Sequence, residues 1–555
     1  MPICGEWVRP AIFAALGVFT FMPIGTVAAQ DAAPSPGTVQ DTLREPAQPP
    51  VDLIDIPAMQ FPRRAAEPVA AGGPAVRVDH IVVSGNTVLP QATIDEFAAE
   101  NAGQSLTLAE IYEIADRLTD LYRARGYGVA SATIPAQRVE DGTLRIAVTE
   151  GRVGVIRYDG NQRYDSDALN RQAVALSSGN VFRSADMDRA ILLLNDLPGL
   201  DARAVVRAGA QPGTVDVVMQ LEEDPYDIRA TLDNHGRDAI GEHRFTLSGA
   251  INSLSGRGDV LSASLLKSQS NLLTYLSVAY GTPIADDGST VTVSFSRADY
   301  DVGTAVFLPL DITGLNNNMR IDWMQPTVRS RNHNVVIGGA VSHTSAESSS
   351  LGAITTDTEI TLFEVSAFVH HVWANRSAST LALGFATNLR SNADGTDQGA
   401  QAGRLRLDAS HTMWFAPGWA GVLRGAAMYS PDPLADTQKF ALGGPYSIRG
   451  FIASEARGDK GASATVELQR HFEFGETRAY ASVFADAGTV RRHALPTDPA
   501  GLDRSTSMSS IGAGFSVSPA SGWRLDAIWA KPVGSYDPQD GDTNGRVWAL
   551  VSAGF

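Results

Sequence analysis

The sequence predicts two small α+β modules followed by a transmembrane antiparallel β-barrel of about sixteen strands. Three observations predict it. A strand-helix-helix-strand-strand order occurs twice in tandem between residues 76 and 223. From about residue 226 the helical periodicity gives way to alternation of apolar and polar residues. The chain ends on a strand whose odd positions, Val547, Ala549, Val551, Ala553 and Phe555, are all apolar.

Residues 1–29 have the layout of a secretory signal peptide: a short head with Arg9, the apolar run Ala11–Met22, and small residues Val27, Ala28 and Ala29 before Gln30. The single cysteine, Cys4, falls inside it, so the exported chain has no thiol for disulfides, metal ligation or nucleophilic chemistry. The 44 Lys+Arg against 61 Asp+Glu give a net charge of −17, which opposes nucleic-acid binding because a phosphate-neutralising groove needs surplus cations. Only four residues are lysine (Lys267, Lys439, Lys460, Lys531), so there is no polybasic tail for anionic lipid. Residues 30–75, with nine prolines and no hydrophobic periodicity, read as an extended linker. One short helical candidate within it, Thr38–Glu45, spans about two turns and could dock as a plug; weak or absent plugging is expected of so short a piece.

The first module, 76–151, opens on a strand over Val76–Val83 that ends at the turn Ser84-Gly85-Asn86-Thr87. A helix is expected from Gln91. A stronger one carries Leu108, Ile111, Ala115, Leu118 and Tyr122 at spacings of three and four, with Thr107 and Glu110 as a capping box and Gly126 as its stop. Strands over Tyr127–Ile134 and Thr143–Thr149 join across Asp141-Gly142. The second module, 152–224, repeats the order: strand Val153–Tyr158, helix Asp165–Leu176, a helix from Ser184 to the stop at Leu197-Pro198-Gly199, and strands Ala202–Arg207 and Thr214–Leu221. Asp186 and Asp188 lie in the first turn of the second helix, where the helix dipole favours them.

Residues 225–555 are the barrel. Val291, Val293 and Phe295 share one face and Thr292, Ser294 and Ser296 the other, a pattern open to a soluble sandwich as well as to a membrane barrel. The aromatic-ended last strand favours the barrel, and Trp323, Trp373, Trp414, Trp419, Trp523 and Trp529 suit its interfacial girdles. No uncharged run of apolar residues is long enough for a helical span.

The tandem modules ahead of such a barrel resemble the polypeptide-transport-associated (POTRA) domains and barrel of the two-partner secretion transporters (TpsB type), exporters of the BamA-type outer-membrane superfamily. The likeness covers about 76–555. In the modules it rests on Gly126-Tyr127, Pro135-Ala136-Gln137, Asp141-Gly142-Thr143-Leu144, Glu150-Gly151-Arg152 and Leu197-Pro198-Gly199. At the first barrel hairpin it rests on Asp233, Asn234, His235 and Gly236 with Gly241 and Arg244. Its most specific segment is Ser447-Ile448-Arg449-Gly450-Phe451, which resembles the family's sixth-loop tip that folds back into the lumen. With it goes Phe484-Ala485-Asp486-Ala487-Gly488, the family's F-x-D-x-G strand motif. Alternation independently turns Phe484 and Asp486 inward, because Val483, Ala485 and Ala487 suit the lipid face, so Arg449 and Asp486 are expected to meet inside the barrel.

The resemblance implies a secretion transporter in the outer membrane, with periplasmic POTRA domains, for an unfolded β-helical partner exoprotein of haemolysin or adhesin type bearing an N-terminal secretion domain. The chain is expected to be a monomer in outer-membrane lipid, with no nucleotide, metal or other cofactor and no catalytic residues. Module 76–151 is the expected cargo dock, with an extended chain adding to a strand edge beside Leu108, Ile111, Ala115, Leu118 and Tyr122. Rival readings are a barrel-protein insertase of the same superfamily and a passive porin. Two Arg-Gly-Asp triplets, 257–259 and 457–459, read as turns, and the histidines show no metal-ligand spacing. No phosphate loop, G-x-G-x-x-G run or G-x-S-x-G elbow gives a nucleotide or hydrolase reading a start.

Overall fold

The computed structural model describes residues 33–44, 73–393, 402–494 and 504–555. The signal-peptide reading and most of the linker lie outside these residues. The first described element is helix α1 (Pro36–Thr42), two residues earlier than the sequence suggests, because the Ser35 hydroxyl caps it and Pro36 occupies its first turn.

In the first module the expected single opening strand is two, β1 (Val76–Val78) and β2 (His80–Ser84). The chain breaks at Asp79, where the amides of Asp79 and His80 both turn to the Gly142 carbonyl. Helix α2 (Gln91–Asn101) follows, then β3 (Gln104–Leu106), which pairs with β1 and which alternation over three residues is too short to reveal. Helix α3 (Leu108–Ala124) has its capping box in place, the Thr107 hydroxyl and Glu110 carboxylate each holding the other's amide. That interaction holds the Glu110 carboxyl below its usual range. β4 is only Ser131–Thr133, shorter than the alternation suggests; it pairs antiparallel with β5 (Thr143–Thr149), and β2 lies parallel on the other side of β5.

Ile111, Ala115, Leu118 and Tyr122 of α3 pack against Val78, Leu144, Ile146 and Val148 in the module core. The Tyr122 hydroxyl, pushed up to about 12 by burial, stays a neutral donor to Asn86 Oδ1 at 2.6 Å. These four side chains are therefore unavailable to a docking chain, which corrects the cargo-contact expectation; only Leu108 is exposed. Periodicity marks the buried face of a helix, and here its own sheet covers that face.

The second module is β6 (Arg152–Asp159), α4 (Ser166–Gln172, followed by a 3₁₀ turn), α5 (Ser184–Asn195), β7 (Leu200–Ala208) and β8 (Thr214–Glu223), with sheet order β6-β8-β7. Leu169, Phe182, Met187, Ile191, Leu194, Val217 and Met219 fill its core. Helix α5 also docks on the periplasmic turns of the barrel. Arg329 donates to both Asp196 oxygens at 2.8 and 2.6 Å, and Arg331 pairs with Asp188 at 2.6 Å. The Arg329 side chain is 1% exposed, so Asp196→Ala should weaken this contact by about 3 kcal/mol. Faster amide exchange in α5 with an intact barrel is the expected reading; unchanged exchange would show that the apolar contacts alone hold the module.

The barrel strands are β9 (Tyr226–Asp233), β10 (Arg244–Asn252), β11 (Val260–Ser268), β12 (Leu273–Pro283), β13 (Thr290–Asp301), β14 (Thr313–Arg329), β15 (His333–Ser350) and β16 (Ala353–Val372). They continue as β17 (Ala378–Ala393), β18 (Gly403–Ala416) and β19 (Trp419–Tyr429). A loop carrying the small hairpin β20 (Phe440–Leu442) and β21 (Ala456–Gly458) comes next. β22 (Lys460–Phe474), β23 (Thr477–Arg491), β24 (Ser505–Ser518), β25 (Trp523–Val533) and β26 (Arg546–Gly554) complete the wall. Sixteen strands close into one antiparallel barrel, β26 pairing with β9. Val293, Phe295, Val466, Val483, Val547 and Phe555 stand exposed on its outer face, the arrangement a lipid solvent favours and water would not. Trp373, Trp414, Trp419, Trp523 and Trp529 are exposed as the girdle reading requires, while Trp323 is half-buried.

Candidate functional site inside the barrel

Loop 430–459, the connection between β19 and β22, turns back into the lumen instead of spreading over the surface. Its tip is wound tightly, with the Gly444 amide on the Phe451 carbonyl and the Phe451 amide on that of Ile448. Ile448 and Phe451 are fully buried, packed with Leu442, Val490 and Met508, and Phe451 meets the Tyr536 ring edge-on. Ser447 opens the turn, its amide bonded to the Gly444 carbonyl. Gly450 presses on the wall: a Cβ there would lie 2.8 Å from Ser510 Cβ and from the Pro532 nitrogen.

This packing aims Arg449 at β23. Its Nη2 and Nε donate to the two Asp486 oxygens at 2.8 and 3.0 Å, and its backbone amide adds a third bond at 3.1 Å. Nη1 reaches Glu467 on β22 at 2.9 Å. The guanidinium lies 3.2 Å from the centre of the Phe484 ring, so a planar cation is held by two carboxylates and an aromatic face at once. Asp486 also accepts from Thr465 and Ser510. Arg449 and Asp486 are 5% and 2% exposed, which makes the ion pair a buried one. Gly488 clears space for Leu442 and Ile448, and Gly512 for the Phe484 ring, whose atoms would lie 2.4 Å from a Cβ.

Glu467, Thr465, Ser510 and Gly512 escaped the sequence reading. Alternation from Val466 and Leu468 turns Glu467 inward, but nothing in the sequence separates it from other lumenal carboxylates.

The first hairpin joins the same assembly. Asp233 accepts from Arg244 Nε at 2.7 Å. The Asn234 side-chain amide bonds the Val547 carbonyl and the Ala549 amide, both at 2.8 Å. An amide side chain imitates a peptide group here and extends the seam, where β26 and β9 share only five register pairs. Gly241 (φ 93°) and Gly236 let the arms of the hairpin approach. His235 meets the rings of Tyr446 and Trp548, and Trp548 Nε1 donates to the Arg449 carbonyl at 2.7 Å. Loop tip, first hairpin and closing strand are thus one bonded unit.

Helix α1 sits in the lumen against it, contrary to the weak docking expected from its length. Val39 is fully buried among Ile240, Leu266, Leu273, Ala298 and Tyr300. Arg457 of the loop donates to Asp41 at 2.9 Å and pairs with Asp436 at 2.6 Å. Asp436 in turn accepts from the Ser35 hydroxyl and the Gly37 amide, and Arg244 reaches the Thr42 carbonyl. Tertiary bonds supply what two helical turns lack.

Both Arg-Gly-Asp triplets are used internally: Asp259 caps Ser255, Arg457 holds the helix, and Asp459 accepts the amides of Leu434 and His493. Among the described residues no group of His, Cys, Asp and Glu is placed to hold a metal.

Two α+β modules and a closed sixteen-stranded barrel with a loop and a helix bonded into its lumen define an outer-membrane transporter with a periplasmic receiving end. The family model described as haemolysin secretion/activation protein ShlB/FhaC/HecB matches residues 213–517, more than half of the chain, and the ShlB-type POTRA domain model matches 76–151. The chain belongs to the ShlB/FhaC/HecB family. It is 22% identical over 446 residues to the heme/hemopexin transporter protein HuxB of Haemophilus influenzae strain 86-028NP, covering 78% of this chain and 79% of that protein. Against the outer membrane transporter CdiB of Dickeya dadantii it is 24% identical over 476 residues, 82% of each chain. The solved structure of CdiB from Escherichia coli superposes with a TM-score of 0.75 at 21% identity, covering 94% of this chain and all of that one, which shows the shared fold.

Proposed function

We propose that the chain is the outer-membrane half of a two-partner secretion pair, receiving an unfolded partner exoprotein in the periplasm and passing it through the barrel to the surface. The observation that carries this reading is the lumenal assembly itself, a pore occupied by a bonded loop and helix behind two folded modules. A passive porin has no use for either module, and a bare channel has no use for a removable occupant. The cargo belongs to the β-helical exoprotein class that the family resemblance implies. The relatives' own cargoes, hemopexin in the name of one of them, are theirs.

The first module, 76–151, is the proposed dock. With the α3 apolar stripe buried, the docking face moves to β2, an edge strand paired only with β5 and with Val82 exposed. An extended segment adding to that edge would gain main-chain hydrogen bonds without a preformed pocket. Deletion of 76–151 should abolish secretion while a heat-modifiable barrel remains in the outer membrane. Partner protein reaching the medium at the normal rate would overturn the docking role. A proline at Val83 removes a donor of the free edge, because the His80 amide bonds the Gly142 carbonyl and two-residue parity turns the Val83 amide away from β5; it should reproduce the loss with the module still folded.

A further inference from the structure

The chain has four lysines, and three of them share one unusual place. Lys267 is the last but one residue of β11, Lys460 the first of β22, and Lys531 lies two residues before the end of β25, each at the extracellular end of its strand. All three point outward, in line with the lipid-facing Leu265, Val466 and Trp529 of their own strands. Arg491, the last residue of β23, joins them, sharing the face of the exposed Val483.

Lys460 and Arg491 are direct partners in the β22–β23 register. Two cations opposed on one face of a sheet repel unless an anion lies between them. None of the four makes an ion pair with a described residue, whereas the outward Arg297 is occupied by Asp299 through two bonds at 2.8 and 2.9 Å. The eight contiguous strands β22–β26 and β9–β11 carry no carboxylate on their outward positions. Hydroxyls fill the intervals: Thr489 below Arg491, then Ser507 and Ser509 on β24, the Ser507 hydroxyl donating to Thr489 at 3.0 Å. In a chain of net charge −17 such a one-signed band is an exception, and the partners beside it are neutral: the Tyr429 ring 5.8 Å from Lys460 and Asn271 Oδ1 3.5 Å from Lys267.

We infer that this band is a binding surface for the phosphate groups of the outer-leaflet glycolipid, lipopolysaccharide, on the half of the barrel that contains the β9–β26 seam. The inference rests on the outer-membrane reading. Lysine and arginine stems cross the apolar boundary and place their charge at headgroup depth, where a phosphate accepts from several donors at once. Phosphate bound between β22 and β23 would remove the Lys460–Arg491 repulsion beside the strands that hold Glu467 and Asp486.

The test uses the full chain, extracted from outer membranes, stripped of lipid and placed in nanodiscs of neutral phospholipid. Bisphosphorylated lipid A, its dephosphorylated form or phosphatidylglycerol is added, and lipid retained per barrel is read by native mass spectrometry. Wild type should retain lipid A in preference to both others, and K267Q/K460Q/R491Q/K531Q should lose that preference, with about a fivefold fall for a single cation removed. Equal retention by the variant, equal retention of the dephosphorylated glycolipid, or equal retention of phosphatidylglycerol would each overturn the inference. The lipid comparison on wild type needs no variant, and K267Q/K531Q replaces the quadruple variant if that fails to fold. Recovery of a heat-modifiable barrel from the outer-membrane fraction tests the location separately.

Discussion

Arg449→Ala is expected to reduce secretion to background while the barrel still assembles. The substitution leaves Asp486 and Glu467 facing each other in a nearly dry pocket, 2% and 4% exposed, with their shared cation gone. Removing one partner of a buried pair typically costs about 3–5 kcal/mol, and the guanidinium's contact with the Phe484 ring is lost as well. The wall strands keep their ladder hydrogen bonds, so the cost falls on the loop, which leaves its seat. Arg449→Lys should be defective to a smaller degree, because an ammonium cannot span two carboxylates and stack on a ring together.

Asp486→Ala should be milder than Arg449→Ala, since Arg449 keeps Glu467. The double variant Arg449→Ala/Asp486→Ala should be no worse than Arg449→Ala alone, because both remove one contact. Secretion titres normalised to folded barrel decide this. Strictly additive losses would mean that the two residues act separately.

Arg457→Ala is expected to release helix α1 and raise the open current of the barrel in planar bilayers. Among the described residues Arg457 is the one cation joined to both Asp41 of the helix and Asp436 of the loop, and its side chain is 9% exposed. Its loss leaves Asp41 only the longer pair with Arg44 at 3.6 Å and Asp436 only that with Lys439 at 3.9 Å, and it cuts the ionic link between helix and loop. At about 3 kcal/mol the ratio of docked to undocked helix would shift by roughly two orders of magnitude. Deleting 33–44 should give the same open current, and Arg457→Ala in that background should add nothing further. A current equal to wild type in both variants would show that the loop alone closes the pore.

Legibility in the sequence followed the range of the interaction. The capping box of α3 and the stop at Gly126 are local signals, and the structure has them where the residues stand. Strand parity is local too; it turned Phe484 and Asp486 inward from three apolar neighbours. What failed was longer in reach. Asp41 and Arg457 are 416 positions apart, and no periodicity in seven helical residues records a partner so distant. Glu467 had the right parity but no mark to single it out, and Gly512 had neither motif nor charge. The α3 stripe was legible as apolar; that its own sheet, and not a cargo chain, covers it was not.

By itself, then, the sequence determined the alternation that makes a lipid-facing wall, the two repeated modules, and the pairing motifs on loop and strand. These depend on backbone period and nearest-neighbour chemistry, which act over a few residues. Only the tertiary structure decided that helix α1 occupies the lumen, that Arg449 serves two carboxylates, and that three of four lysines ring one side of the barrel. Each of those depends on how barrel closure and strand register bring remote positions to one side of the wall or into one lumen. Closure is a property of all sixteen strands together, so no local segment of the chain can encode it alone.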